Sequence, residues 1–154
     1  PSPDSTQVLQ CVQQCQTHTW LLTWQDTEEK GLDLSLPVSW AQVAPPTWSQ
    51  FACAVGDHVA RCLPELVSVG VAAAALGMPS RTFQRTLAAE SLSYQRIQSD
   101  VRFRLAGWYL LESEMAIAEI GFVCGYSDQA HLTREFNRRM GVPPARYREL
   151  FSST

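Results

Sequence analysis

The chain has 154 residues, 45% of them hydrophobic, and a formal net charge of −3. That length and apolar content support one real core and exclude a disordered chain. No apolar run approaches the roughly 18 residues of a membrane helix, and no basic-then-apolar leader stands at the N-terminus, so a cytoplasmic protein with no membrane partner is expected.

The chain opens on Pro1-Ser2 without an initiator methionine, which reads as an excised or processed fragment. Residues 5–16 have weak helical character and hold Cys11 and Cys15 at i, i+4 spacing. Residues 18–25 and 32–40 are rich in β-formers and flank the polar stretch DTEEKG, the pattern of a β-hairpin. A lone hairpin is marginal in water, so residues 1–46 are expected to be the remnant of an effector or dimerisation domain. Residues 44–47, APPT, read as a linker.

Charge changes sign along the chain. Up to His58, Lys30 alone opposes six acids; from Val59 onward, eleven arginines face nine acids. Arginine suits phosphate and guanine because its planar fork bonds bidentately, although a GC-rich genome also favours it. Five cysteines without a CxxC pair read as reduced thiols, with Cys62 and Cys124 at core positions. No cysteine stands next to a histidine in the sequence, and no metal or cofactor is expected.

Seven helices are expected from Thr47 on. The first runs from a Thr47 or Ser49 cap to about Leu63, where Pro64 stops it. The second covers about 66–76 and ends at Gly77. The third starts with Ser80 as N-cap and reaches Glu90. A long fourth helix, 93–112, carries Ile97, Val101, Leu105, Trp108 and Leu111 at helical spacing. The fifth covers 116–124 and ends at Gly125. The sixth starts near Ser127 or Asp128 and ends at Gly141. The seventh opens on Pro143-Pro144 and reaches Phe151.

Two parts of this series nearly repeat: AAAALGMPSRTFQRTL at 72–87 and IGFVCGYSDQAHLTREF at 120–136. Four residues before each turn glycine stands a small residue, Ala73 or Gly121, where two helices cross closely. After the turn come apolar pairs at i, i+4, Phe83 with Leu87 and Leu132 with Phe136. Arg85 and Arg134 follow the first anchor of each pair by two residues, about 200° around the helix, and so face outward. An outward arginine on the second helix of such a unit is where base edges are read.

Residues 59–150 resemble the DNA-binding domain of the AraC/XylS family of bacterial transcription regulators. The carrying residues are Ala106 and Leu110, the block Ile117, Ile120, Gly125 and Tyr126, then Leu132, Phe136, Gly141-Val142-Pro143-Pro144 and Tyr147-Arg148. Phe103 and Pro79 depart from the family pattern. The resemblance implies a mainly α, seven-helix double helix-turn-helix domain over 47–154. Its units are 66–90 and 116–140, joined by the linker helix 93–112. It implies two recognition helices in successive major grooves, with no enzymatic activity. Arg81, Gln84 and Arg85 in the first unit, and Gln129, His131, Thr133 and Arg134 in the second, are the implied base contacts. Ser80, Thr82, Ser127 and Arg138 are the implied phosphate contacts. Arg102 and Arg104 on the linker helix are expected to be structural. Implied partners are promoter DNA and RNA polymerase, with activation the commoner role in the family and an effector or dimer partner acting through the N-terminal region. Two alternatives are weighed beside this: a partner- or ligand-binding module with DNA binding secondary, and a cysteine-based DNA-repair methyltransferase fused to this type of domain.

Overall fold

The computed structural model describes residues 40–151. Among them every regular element is a helix: α1 (Trp40–Val43), α2 (Gln50–Cys62), α3 (Val69–Ala75), α4 (Ser80–Ala89), α5 (Tyr94–Glu112), α6 (Ile117–Val123), α7 (Gln129–Met140) and α8 (Pro144–Phe151). The seven expected helices are α2–α8. The hairpin expected over 18–40, except Trp40, and the Cys11–Cys15 pair lie outside the described residues.

Local chemistry sets the helix ends. Ser49, Ser68, Ser93 and Asp128 each accept a bond from a backbone N–H three residues on, which satisfies an otherwise orphaned donor. Helix α7 stops at Gly141, which takes the left-handed conformation at φ 74° and bonds back to the Asn137 carbonyl. Helix α4 departs from expectation: Ser80 is its first helical residue, and Pro79 occupies the cap position with no side-chain bond. The fixed proline φ and extended ψ of 138° start the helix without a capping oxygen.

Helix α5, 19 residues long, is the axis of the fold. Its buried residues, among them Ile97, Val101, Phe103, Ala106, Trp108 and Leu110, lie all round its circumference, because it packs against α1 and α2 and also against α6 and α8. One end of the core stacks Phe51, Phe83 and Tyr94 edge to face; the other stacks Phe103, Phe136, Tyr147 and Phe151.

The core also reaches back past the boundary at 46 and 47 that composition suggested. Trp40, read as the end of a strand, begins the helical turn α1 and is 1% exposed, its indole packed against Gly56 and Trp48. Val43 is fully buried, and its carbonyl accepts a bond from Arg104 Nη1 at 3.1 Å. Burial pulls the Arg104 pKa down to about 10, partly offset by Asp100, so the guanidinium stays charged at neutral pH. Arg104 thus ties α1 to the linker helix, in keeping with a structural role.

Candidate nucleic-acid interface

The two repeated units close in the same way. In the first, Gly77 N–H donates to Ala74 and Met78 N–H to Ala73; in the second, Gly125 N–H donates to Phe122 and Tyr126 N–H to Gly121. Both are Schellman turns, with the glycines at φ 68° and 74°, a backbone state that glycine alone adopts without strain. The small residues sit at the helix crossings as expected. Ala73 is fully buried, and a methyl added at Gly121 would lie 3.8 Å from Leu132, an ordinary contact.

From these turns the second helix of each unit, α4 or α7, lays its apolar pair into the core. Phe83, Leu87, Leu132 and Phe136 are all buried. The opposite faces carry the candidate base contacts. Arg81, Gln84 and Arg85 are exposed together on α4, and Gln129 and Arg134 are exposed on α7. His131 and Thr133 are half-buried and already engaged. The His131 ring stands edge-on to Tyr126 at 5.2 Å, with Nδ1 3.1 Å from Ser127 Oγ. Thr133 Oγ1 donates to the Gln129 carbonyl at 2.8 Å, so only its remaining lone pairs and methyl are on offer.

The candidate phosphate contacts divide similarly. Ser80 is exposed in the first turn of α4, whose N-terminal amides have no side-chain cap. Thr82 is half-buried one residue before Phe83, and its carbonyl accepts from Thr86. Ser127 is exposed, within reach of Asp128 and His131. Asp128 caps α7, and the bond from His131 N–H holds its carboxyl below the usual range. Arg138 is exposed but pairs through two nitrogens with Glu135, at 3.1 and 2.7 Å.

A charged cluster that sequence spacing alone did not reveal anchors α7 to the linker helix. Arg139 donates to Asp100 at 2.6 Å and to Glu135 at 2.6 Å, and also bonds Ser99. Arg96 donates to the other oxygen of Asp100 at 2.9 Å. Burial alone would raise the Glu135 carboxyl, but Arg138 and Arg139 more than reverse this and hold it down at about 2. The Arg139 guanidinium also lies 4.8 Å over the Phe103 ring. The Phe103 departure from the family pattern therefore gives that arginine a flat aromatic seat.

Burial pushes the Cys124 thiol up to about 12, the reverse of activation. Cys62 is half-buried rather than core, and one helical turn brings its Sγ within 3.8 Å of His58 Nε2, a neighbour the linear order concealed. Among the described residues no three or more potential ligands gather as a metal site, and no helix is long and apolar enough to cross a membrane.

A family profile described as a helix-turn-helix domain matches residues 72–150. The ornithine utilization regulator of Pseudomonas aeruginosa is 35% identical over 78 residues, 51% of this chain and 23% of that protein. The transcriptional activator NphR of a Rhodococcus species is 31% identical over 77 residues, 50% of this chain and 23% of its own length. The chain therefore spans less than a quarter of either relative. The solved DNA-binding domain of the global transcriptional factor AdpA, in complex with a target DNA, superposes with a TM-score of 0.53 at 28% identity. That match covers 66% of this chain and 92% of the AdpA domain. The fold and these relatives are those of transcription regulators and not of enzymes. The chain belongs to the AraC/XylS family and carries its helix-turn-helix DNA-binding domain.

Proposed function

We propose that the chain is the DNA-reading part of a cytoplasmic transcription activator, and that it reads two successive major grooves with α4 and α7. The observation that carries this reading is the duplicate geometry: two Schellman-closed turns, each presenting an exposed arginine two residues past a buried anchor, Arg85 after Phe83 and Arg134 after Leu132. Arg81, Gln84 and Arg85 read one set of bases, with Gln129, His131, Thr133 and Arg134 reading the other. Ser80, Thr82, Ser127 and Arg138 face phosphates, which requires Arg138 to exchange Glu135 for the backbone. Residues 47–154 form the DNA-binding domain. Residues 1–46 belong to an effector or dimerisation region, from which α1 packs onto the core, and RNA polymerase is the partner in activation.

The two reading faces differ in composition, so the target is a direct, non-palindromic site. Selection of bound duplexes from a random pool supplies the probe. Arg85→Ala and Arg134→Ala each weaken binding to the selected duplex by about 1–3 kcal/mol, and the bases that the two variants cease to protect lie about one helical turn apart. Equal affinity for selected and random duplex at matched salt removes the specific reading; loss of protection at the same bases in both variants removes the two-groove reading.

A further inference from the structure

The two repeated units differ at a pair of positions that matters for α7. The residue after the turn glycine is Met78 in the first unit and Tyr126 in the second; the residue before the first buried anchor is Thr82 in the first and His131 in the second. In the second unit both are rings, and they stand at right angles with centroids 5.2 Å apart. Arg102 of the linker helix lays its guanidinium over the same Tyr126 ring, 4.1 Å from the centroid. One ring therefore meets a cation from α5 and an imidazole from α7. The arrangement is a costly one, because Arg102 Nε and Nη2 and the Tyr126 hydroxyl are all buried without a hydrogen-bond partner. What Arg102 has in exchange is the attraction of a desolvated cation for an aromatic face. Tyr126 is 6% exposed and no hydrogen bond fixes its hydroxyl, so packing and that stack set the tilt of its ring.

We infer that Arg102 is a positioning residue for base reading by α7: it sets the Tyr126 ring, and that ring sets the direction of the His131 imidazole. This role rests on the DNA-reading proposal and gives one of its contacts a fixed orientation. An imidazole turns about two side-chain bonds, and a ring free to turn meets a base edge in many poses, which discriminates poorly. The backbone on either side is already held. Tyr126 N–H donates to the Gly121 carbonyl at 2.9 Å, and His131 N–H donates to Asp128 at 2.6 Å. Only the side-chain torsions of His131 are left to fix, and Ser127 Oγ, 3.1 Å from Nδ1, and the Tyr126 ring fix them. With Nδ1 engaged, Nε2 is the nitrogen left to meet a base edge. Two of the three guanidinium nitrogens of Arg102 are closed off from solvent, so it acts through the ring rather than on DNA. Met78 and Thr82 make no such ring pair in the first unit, so the effect is confined to α7.

The test uses the full chain, first without DNA. Proton cross-relaxation between the Tyr126 and His131 rings is strong in the parent chain and in Tyr126→Phe, which keeps the ring and drops an unpartnered hydroxyl. It is lost in Arg102→Ala, and its persistence there overturns the positioning role whatever the DNA results. Binding is then measured to the selected duplex and to duplexes carrying each other base pair at the position that His131→Ala ceases to discriminate. The parent chain and Tyr126→Phe prefer the selected base pair there by about tenfold or more, and Arg102→Ala by less than about threefold. Preference at the position read by Arg134 stays within about twofold of the parent in Arg102→Ala, a separation that a merely structural role would not give. Undiminished preference at the His131 position in Arg102→Ala overturns the role; so does equal loss at both positions, which marks general loosening of α7, and so does a His131→Ala chain that keeps every preference. If Arg102→Ala does not fold, Arg102→Met takes its place under the same criteria, since it fills the volume without a flat cation. A parent chain that shows the ring contact but prefers no base pair anywhere marks failure of the DNA-reading proposal instead.

Discussion

Gly77 and Gly125 hold the same left-handed backbone in the two turns, yet they meet different surroundings. A Cβ at Gly77 would meet nothing within 4 Å, whereas one at Gly125 would lie 2.8 Å from the Pro64 carbonyl oxygen and 3.1 Å from Leu63. Gly77→Ala therefore bears only the left-handed backbone cost, about 1 kcal/mol. Gly125→Ala adds a clash with fixed backbone and costs about 3 kcal/mol in all. Urea unfolding of both variants checks the difference, and equal losses would mean that the Pro64 turn yields freely. The sequence made both glycines legible as turn residues because each ends an apolar run. Their inequality was not legible, because it depends on the loop after α2 folding over the second unit. The Ser80 cap failed for a local reason: the preceding proline supplies an extended cap residue by itself, so the serine shifts one place into the helix.

At the scale of helices, the seat of α7 on α5 depends on charges far apart in the chain. Arg139 bridges Asp100 and Glu135, with all three side chains 12–17% exposed. Asp100→Asn leaves Glu135 as the carboxylate paired with Arg139 in this cluster and is expected to cost about 1–2 kcal/mol, between the values for exposed and fully buried pairs. Denaturant titration reads that loss directly. Glu135 predicts a pH dependence as well. Its folded pKa is depressed from 4.5 to about 2, so its contribution is present above about 4.5 and is lost as pH falls from there towards 2. Glu135→Gln flattens stability over that window, and an unaltered acid profile would mean that other carboxylates set it. Helical periodicity identified the buried stripes of α4 and α7 and one of the buried faces of α5, since apolar spacing is a local signal. The Asp100–Arg139 pair has no local signal, because spacing along one helix says nothing about the charge a second helix brings opposite.

For the whole molecule, the linker helix sets the spacing of the two faces proposed to read DNA. At 19 residues α5 is about 28 Å long, and it packs with α1 and α2 on one side and α6 and α8 on the other. A rod held between helices on two sides bends little, so it fixes both the angle and the distance between the units. One helical turn of DNA, about 34 Å, is the span that two major-groove helices on one face require. This yields a prediction that separates one rigid chain from two loosely joined readers. Inserting about 5 base pairs between the two contacted base sets turns the second set to the far side of the duplex, and affinity drops to that of a single reading helix. Inserting about 10 base pairs restores the face but moves the second set a further turn away, beyond the reach of α5, so affinity stays low. Gel-shift titration at matched salt measures all three duplexes. Recovery with the longer insertion would mean that the units move independently. In that case the packing of α5 would not be what holds α4 and α7 in register.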